Sequence, residues 1–271
     1  MKKTQANIIA IIPARYGSTR FPGKSLALIS GKPMIQWVYE RTKRSRLVNR
    51  VIVATDDERI AKAVAAFDGE AVMTSLSHPS GTDRIAEVAN KTDCAFVVNV
   101  QGDEPLIQPD MIDEAVAPLL NDPSIYMGTL CKKIEDREEA FDPNVVKVVF
   151  DEKGFALYFS RAPIPWDRDL WAGKNQESGV RSKKSEVRSQ IPGIESHIYK
   201  HIGLYVYRRD FLLAYSTMPP TPLEAIEKLE QLRALERGYK IKVVVTEHES
   251  FGVDIPADLG KIQQHMDRGC K

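Results

Sequence analysis

The first 122 residues alternate short apolar runs with amphipathic stretches. The apolar runs are nearly continuous in Ile, Val and Ala, the pattern of strands buried on both faces of a parallel sheet. They are "NIIAIIPA", "RVIVATD", "EAVMT" and "CAFVVNVQGD". Between them, "KPMIQWVYERTKRS", "DERIAKAVAAF", "TDRIAEVANK" and "QPDMIDEAVAPLLN" have the apolar spacing of helices. The alternation predicts an α/β fold: a Rossmann-like, mostly parallel sheet with helices on both faces.

The second half of the chain has longer β-like runs. "YMGTLCKKI", "NVVKVVFDEKGFALYFSRAPIPW" and "KHIGLYVYRRDF" precede one predicted helix, "TPLEAIEKLEQLRALERG", and a predicted strand, "KIKVVVTE". We therefore expect residues 1–271 to form a single α/β domain, in which about 123–225 are a mixed β extension that continues the sheet and contacts substrate. The polar, basic stretch 172–196 is predicted to be a mobile surface loop.

Composition excludes several classes of protein. The formal net charge of +1 argues against a general nucleic-acid-binding surface. The three cysteines, Cys94, Cys131 and Cys270, lie far apart without C-x-x-C spacing, which favours a reducing compartment over a disulfide framework or a zinc site. No apolar run approaches the roughly 18 residues of a membrane span. We expect a cytoplasmic protein without membrane insertion.

The opening segment "IIPARYGSTRFPGKSLALISGKPMIQWVYERT" nearly matches a Walker A loop. That motif has four residues between its glycines, whereas Gly17 and Gly23 are separated by Ser18 to Pro22. A Walker A loop also enters its helix directly, but here a short apolar stretch and a turn at Gly31 come first, and the next helix is predicted to begin at Pro33. The sequence therefore argues against Walker A.

The same loop still has the chemistry of a phosphate site. Arg15, Arg20 and Lys24 supply cations, and the glycines allow backbone N–H groups to approach an anion. A basic surface loop with glycines at its turns is the alternative interpretation. The loop follows a predicted strand, and ligands of open α/β sheets bind beyond the carboxyl ends of strands. The segments "ATDDE" and "NVQGDEPLI" follow two other strands, so we expect the three tips to form one cleft.

Two aspartates are candidate metal ligands. Asp103 follows the strand in "FVVNVQGDEP", and Asp254 lies in "FGVDIPADL", after the last predicted strand. Carboxylates from two tips can hold Mg²⁺ against phosphate oxygens. Each aspartate also has a structural alternative, since Asp103 could be a cap or turn residue and Asp254 could cap the helix that follows.

Several segments together resemble a known family. "IPARYGSTRFPGKSL", "VIVATDDERI", "SGTDRIAEV", "VNVQGDEPLI", "FSRAPIPWDRD", "KHIGLYVYRRDFL", "PLEAIEKLEQLRALERG" and "FGVDIPADL" are similar to the acidic-sugar cytidylyltransferases, specifically those that activate 3-deoxy-D-manno-octulosonate (KDO). The resemblance implies the nucleotide-diphospho-sugar transferase fold. It also implies transfer of CMP from CTP to KDO with release of pyrophosphate, in lipopolysaccharide biosynthesis. Mg²⁺ as cofactor and a homodimer formed through the second half are further implications.

The resemblance also assigns roles to individual residues. Arg15 and Lys24 are assigned to catalysis and triphosphate binding, with Arg20 as a helper. Ser18, in the same loop, is assigned to nucleotide binding. Asp103 is assigned as a catalytic residue and metal ligand, and Asp254 as the second metal ligand. The nucleotide is assigned further contacts at Ser80, Gly81, Thr82, Arg84 and Gln101. The sugar is assigned contacts at Gln101, Arg161, His201, Tyr205, Glu224 and Glu227. Structural roles stay open for some of these, such as a core position for Tyr205 and a solvated helix position for Glu227.

Three other functions stay open on the sequence alone. The acceptor could be another acidic sugar, or a sugar 1-phosphate whose phosphate oxygen attacks. The chain could also be a catalytically inactive nucleotide sensor that uses the same loop. Pyrophosphate release with each acceptor would separate the enzymes from each other and from the sensor.

Overall fold

The computed structural model describes residues 6–17, 21–168 and 197–267. The strands are β1 (Ile8–Ala14), β2 (Leu28–Ile29), β3 (Lys32–Pro33), β4 (Arg50–Thr55), β5 (Ala71–Met73), β6 (Phe96–Asn99), β7 (Met127–Lys133), β8 (Lys147–Phe150), β9 (Ala156–Ser160), β10 (Tyr199–Arg208) and β11 (Ile241–Val245). The helices are α1 (Met34–Thr42), α2 (Glu58–Ala65), α3 (Gly81–Asn90), α4 (Pro109–Asn121), α5 (Arg137–Phe141), α6 (Arg209–Ser216), α7 (Pro222–Glu227), α8 (Leu232–Glu236) and α9 (Asp258–Asp267).

One large sheet organises the described residues. Its strand order is β11-β7-β10-β6-β1-β4-β5, and the β8–β9 hairpin is attached through β10. β1 lies parallel to β4 and β6, and β4 lies parallel to β5. β10 is antiparallel to both β6 and β7, and β11 is parallel to β7. The predicted α/β fold, a mostly parallel sheet with a mixed extension, is confirmed.

Helices cover both faces of this sheet because a central strand such as β1 is apolar at every position. In β1, Ala10 and Ile12 face a core that includes residues of α1 and α4. Ile9 and Ile11 face the opposite core, which includes residues of α3 and α6. All four side chains are 0% exposed. Burial of this kind stabilises the fold by about 1.5–3 kcal/mol per large aliphatic side chain.

Four local predictions need correction. "TPLEAIEKLEQLRALERG" forms two short helices, α7 and α8, because the backbone at Lys228 turns left-handed with φ of 56°. The β-like run "KHIGLYVYRRDF" ends its strand at Arg208, and α6 begins at Arg209. Pro33 is the N-cap of α1, one residue before the helix. The short helix α5 has no counterpart in the sequence interpretation.

The opening loop differs from Walker A as predicted. After Lys24 the chain forms a 3₁₀ turn (Lys24–Leu26) and the β2–β3 hairpin before α1 begins. The hairpin turns at Ser30 and Gly31, with φ of 49° and 78°. Ser18, Arg20 and the basic stretch 172–196 lie outside the described residues. Among the described helices, none is long and apolar enough to cross a membrane.

Candidate nucleotide and sugar site

A cavity of about 300 Å³ opens where the carboxyl ends of β1 and β6 meet the N-terminus of α3. It contains eight of the predicted nucleotide, catalytic and metal residues, drawn from five separate parts of the chain. They are Arg15, Lys24, Ser80, Gly81, Arg84, Gln101, Asp103 and Asp254. Pro13, Ala14, Ser25, His78, Pro79 and Gly102 complete the lining. The structure therefore joins two of the three strand tips that the sequence placed at one cleft. The third, "ATDDE", does not line the cavity and contacts it only through the ion pair of Asp56 with Arg84.

Two glycines are required by close packing at this cleft. A Cβ at Gly102 would lie 2.9 Å from the carbonyl oxygen of Pro13, so the segment after β6 can approach β1 only as glycine. Gly23 has φ of 70° and donates its N–H to the carbonyl of Tyr16 at 2.9 Å, which closes the opening loop. The Tyr16 ring lies beside Gly23 on one side, and the guanidinium carbon of Arg59 lies 3.3 Å from the ring centroid. These contacts hold Gly23, the residue before Lys24, against Tyr16.

Lys24 joins the two aspartate segments. Its Nζ donates to Asp103 Oδ2 at 2.5 Å and to the carbonyl of Val253 at 2.9 Å. The N–H of Val253 donates in turn to the carbonyl of Asp103 at 2.9 Å. These bonds bring Asp103 and Asp254, which are 151 positions apart in the sequence, to one wall of the cavity.

The structural alternatives for the aspartates are partly excluded. Asp254 lies four residues before the first residue of α9, outside the cap position, and the side chain of Asp258 accepts from Asp254 N and Ile255 N. Asp103 lies in a turn between β6 and α4 and caps neither element. Asp103 is therefore a turn residue whose carboxylate also faces the cavity.

The N-terminus of α3 forms another wall and favours an anion there, because its first N–H groups point out of the helix. Ser80 caps the helix, since its hydroxyl oxygen accepts from the N–H of Asp83 at 3.1 Å. Arg84 is 4% exposed and forms an ion pair with Asp56 at 2.6 Å. Arg84 thus reaches the cavity from a fixed position, whereas the side chain of Arg15 is exposed.

A second cavity of about 120 Å³ adjoins the first through Gly81 and Gln101. Its lining is polar and aromatic: Gly81, Thr82, Asn99, Gln101, Met127, Tyr205, Tyr207, Tyr215, Glu230 and Gln231. Three buried polar atoms of this lining have no hydrogen-bond partner in the described part of the chain, namely Asn99 Oδ1, Glu230 Oε1 and Gln231 Nε2. Buried polar atoms without partners are costly in a folded protein, so this cavity is suited to a hydroxyl-rich ligand.

Glu230 and Gln231 are functional candidates that the sequence interpretation missed. They occupy the junction between α7 and α8, which was predicted as continuous helix. Burial raises the pKa of Glu230 above 4.5 despite the hydrogen bond that its carboxylate accepts from Thr82. The available signal was the segment "EKLEQLR", in which polar residues interrupt the apolar spacing.

The predicted sugar residues separate into two groups. Gln101 and Tyr205 line the second cavity, and the amide of Gln101 donates to the carbonyl of Gly203 at 3.0 Å. His201 is a ring neighbour of Tyr205 and hydrogen-bonds to Thr129 at 2.9 Å, and burial lowers the pKa of its imidazole to about 3. His201 is therefore a neutral residue behind this cavity at physiological pH.

Arg161, Glu224 and Glu227 make structural contacts and line neither of the two cavities. The carboxylate of Glu227 accepts from Ser160 Oγ at 2.6 Å and from Arg161 N at 3.0 Å. The guanidinium of Arg161 donates to the carbonyls of Glu227 and Pro143. Glu224 completes a capping box at the start of α7 and pairs with Arg233 through both oxygens. Their assignment to the sugar stays a prediction.

Comparisons with known proteins identify the family of the chain. The chain matches the cytidylyltransferase family profile over residues 9–241. It is 58% identical to the 3-deoxy-manno-octulosonate cytidylyltransferase of Geobacter metallireducens, over 96% of this chain and 98% of that relative. It is 57% identical to the protein of the same name from Geobacter sulfurreducens, over 96% of this chain and 99% of the relative.

Solved structures give the same result. The structure of CMP:2-keto-3-deoxy-manno-octonic acid synthetase complexed with CTP superposes with a TM-score of 0.85 at 41% identity, covering 97% of this chain and 99% of the other. A cytidylyltransferase from Leptospira borgpetersenii shares the fold, with a TM-score of 0.61 at 15% identity, over 97% of this chain and 87% of that one.

The chain therefore belongs to the cytidylyltransferase family of nucleotidyltransferases. Within that family its full-length relatives place it among the 3-deoxy-manno-octulosonate cytidylyltransferases, which confirms the resemblance found in the sequence.

Proposed function

We propose that the protein transfers CMP from CTP to the anomeric hydroxyl of KDO, giving CMP-KDO and pyrophosphate for lipopolysaccharide biosynthesis. One observation carries the proposal: a cavity with cations, a helix N-terminus and two aspartates adjoins a second cavity with unpartnered polar atoms. The names of the relatives and of the solved structure with CTP support the same two substrates.

Mg²⁺ is the proposed cofactor, and the residues present fit it. Asp103 and Asp254 line one cavity and offer the hard carboxylate oxygens that Mg²⁺ prefers. The Lys24 ammonium lies between the carboxylate of Asp103 and the carbonyl of Val253, so this place already accommodates a positive group among oxygens. When bound there, Mg²⁺ would neutralise phosphate oxygens of CTP and favour departure of pyrophosphate.

The chain's own residues would position the nucleotide and compensate its charge. Arg15 and Lys24 would neutralise the triphosphate, and the α3 N-terminus at Ser80 and Gly81 would donate N–H groups to it. As phosphates enter, Lys24 can exchange part of its contact with Asp103 for a phosphate oxygen, which leaves the aspartate free to bind metal. Catalysis of this type depends mainly on positioning and electrostatic compensation.

The second cavity is the proposed sugar site. Glu230, Gln231 and Asn99 offer unsatisfied atoms to sugar hydroxyls, and Gln101 belongs to both cavities. A sugar in this place would present a hydroxyl toward the nucleotide beside Gly81 and Gln101, which line both cavities. This adjacency supports direct attack on the α-phosphorus.

The alternative acceptors are less well supported. A sugar 1-phosphate would bring nearly two negative charges next to the Glu230 carboxylate, whereas the carboxylate of an acidic sugar brings one. Another acidic sugar would fit the same polar lining, and only an assay with each sugar can distinguish it from KDO as the acceptor. An inactive nucleotide sensor would have no use for the second cavity.

A homodimer and a cytoplasmic location are further proposals. The β8–β9 hairpin and its surroundings expose Leu157 at 63% and Trp166 at 59%, and Trp166 contacts the 40% exposed Phe141 edge-on. An apolar edge of this kind in the extension is suited to a second copy of the chain. Cys94 and Cys131 are buried free thiols, as expected in a reducing compartment.

The experiment is pyrophosphate release with CTP and KDO, with and without Mg²⁺. We expect turnover only with all three components and a preference for CTP over ATP of at least about tenfold. Omission of KDO is the control for simple hydrolysis. CTP binding without turnover would identify the nucleotide sensor, and turnover with a sugar phosphate alone would reassign the acceptor.

A further inference from the structure

We propose that Glu249 is a positioning residue that anchors the loop 246–254 and thereby holds Asp254 at the cavity wall beside Asp103. The inference rests on the proposed function, because it assumes that the two aspartates bind Mg²⁺ together with CTP. It adds a residue that lines neither of the two cavities.

The loop 246–254 needs side-chain anchors. All of its residues are described, and none belongs to a helix or strand. Its first residue is held at the end of the sheet, where Thr246 N donates to the carbonyl of Cys131 at 2.9 Å. Beyond that bond, the backbone conformation up to Asp254 depends on contacts made outside regular secondary structure.

Glu249 makes two ion pairs from this loop. Its carboxylate pairs with Lys132 on β7 at 2.8 Å and with Lys200 on β10 through a short hydrogen bond. Lys200 pairs in addition with Glu139 on α5 at 2.7 Å. Burial alone would raise the pKa of Glu249, but the hydrogen bonds from the two lysines outweigh it and lower the pKa below 4.5. One carboxylate thus links the loop to two strands.

Lys132 and Lys200 are partly buried, so their ion pairs with Glu249 are only partly screened by water. The side chains of Lys132 and Lys200 are 21% and 16% exposed, and Glu249 is 36% exposed. Charge pairs that are partly removed from water are screened less than surface pairs. Lys132 also donates to the carbonyl of Glu247 at 2.8 Å, which adds a backbone contact to the same anchor.

The far end of the loop meets the catalytic segment. Ser250 is hydrogen-bonded to the Glu104 side chain, and Val253 is paired with the backbone of Asp103 and with Lys24. Asp254 is exposed and follows directly. With Glu249 in place, the path from the sheet to Asp254 is anchored at both ends, which limits how far its carboxylate can move from Asp103.

The test measures Mg²⁺-dependent CTP affinity by calorimetry without KDO, so that no turnover is needed. Glu249→Gln keeps the size of the side chain but removes its charge, and Glu249→Asp keeps the charge but shortens its reach. Glu247→Gln is the matched control, because Glu247 is an exposed glutamate of the same loop. We expect Glu249→Gln to weaken the apparent Mg²⁺ affinity about tenfold, at the low end for residues that orient metal ligands.

The other measurements distinguish a role of Glu249 in positioning Asp254 from a general loss of structure. CTP affinity without Mg²⁺ should be unchanged, Glu249→Asp should be intermediate, and Glu247→Gln should match wild type. If Glu249→Gln fails to fold, Glu249→Asp gives the same comparison. A Glu249 variant whose Mg²⁺ dependence equals that of Glu247→Gln overturns the positioning role alone. A wild-type protein whose CTP affinity ignores Mg²⁺ overturns the metal assignment and this inference with it.

Discussion

Replacing Glu230 by glutamine should weaken sugar binding without unfolding the protein. Glu230 Oε2 accepts from Thr82 Oγ1 at 2.9 Å, a bond that a glutamine oxygen can keep. Oε1 has no hydrogen-bond partner in the described part of the chain, and its nearest cation, on Arg233, is 3.8 Å away. The substitution therefore removes the negative charge that, in our proposal, accepts a hydrogen bond from a sugar hydroxyl, and it keeps the bond to Thr82.

The magnitude follows from the type of bond lost. A hydrogen bond to a charged group contributes about 1.5–3 kcal/mol, and each 1.4 kcal/mol is about tenfold in affinity. We expect the KM for KDO to rise about 10- to 100-fold at saturating CTP, with a smaller change in kcat. Initial rates of pyrophosphate release across a KDO titration measure both parameters.

Glu224→Gln is the matched control on the preceding helix. Glu224 accepts from the backbone of Thr221 and from both Nε and Nη2 of Arg233, so it fastens α7 to α8. Its loss should cost about 1–3 kcal/mol of folding stability in urea denaturation. Because its carboxylate is engaged by these contacts, we expect an unchanged KM for KDO, a result that would argue against the sugar contact predicted for Glu224 from the sequence. The opposite pattern, a normal KM in Glu230→Gln and a raised KM in Glu224→Gln, would refute the assignment of the sugar to the second cavity.

Three further predictions follow from the described contacts. Lys147→Met should lower the free energy of unfolding in urea by about 3 kcal/mol. The fully buried Lys147 ammonium donates to the carbonyls of Asp142, Val145 and Arg161 at 2.8, 2.6 and 2.7 Å. The control is Lys153→Met, at an exposed position, which should match wild type. Hydrogen bonds from Lys91, Ser75 and His78 lower the pKa of Glu87 from 4.5 to about 2. The ionised Glu87 therefore contributes fully to the free energy of unfolding above pH 4.5, and this contribution is lost as the pH falls to 2. Glu87→Gln should therefore cost about 1 kcal/mol at pH 7, and a difference that persists unchanged at pH 2 would contradict this. Asp103→Asn and Asp254→Asn should each abolish most Mg²⁺-dependent turnover, with the double variant little worse than either, and full activity in Asp254→Asn would contradict the shared metal site.

The first cavity could be predicted in part from sequence because several of its residues follow buried strands directly. Ala14 ends β1 and Gln101 follows β6 by two positions, so the parallel pairing of β1 with β6 places both at one edge. A continuous apolar run predicts where a buried strand ends, and the polar residues that follow it then lie at the edge of the sheet. Strand periodicity is a local property that is visible in one sequence. The requirement for glycine at Gly102 is not, since it comes from the close approach to Pro13 in the folded sheet.

The polar lining of the second cavity could not be predicted in the same way. "TPLEAIEKLEQLRALERG" has good helical spacing and was predicted as a single helix, in which the resemblance assigned Glu224 and Glu227 to the sugar. The left-handed backbone at Lys228 ends that helix and redirects the chain, so that Glu230 and Gln231 face the cavity instead. A left-handed lysine has a small intrinsic cost that tertiary packing overrides, and nothing local in the sequence marks it.

The placement of β10 explains why the two cavities form one site. The sequence predicted a strand near Tyr205, but an antiparallel strand inserted between β6 and β7 is a property of the sheet as a whole. In that position Tyr205 pairs with Asn99, and the amide of Gln101 donates to Gly203. Residues 99–103 therefore supply Asn99 to the second cavity, Gln101 to both and Asp103 to the first. Because these residues are the last residue of one strand and the turn that follows it, the acceptor and the nucleotide would be held next to each other, which favours attack of one on the other.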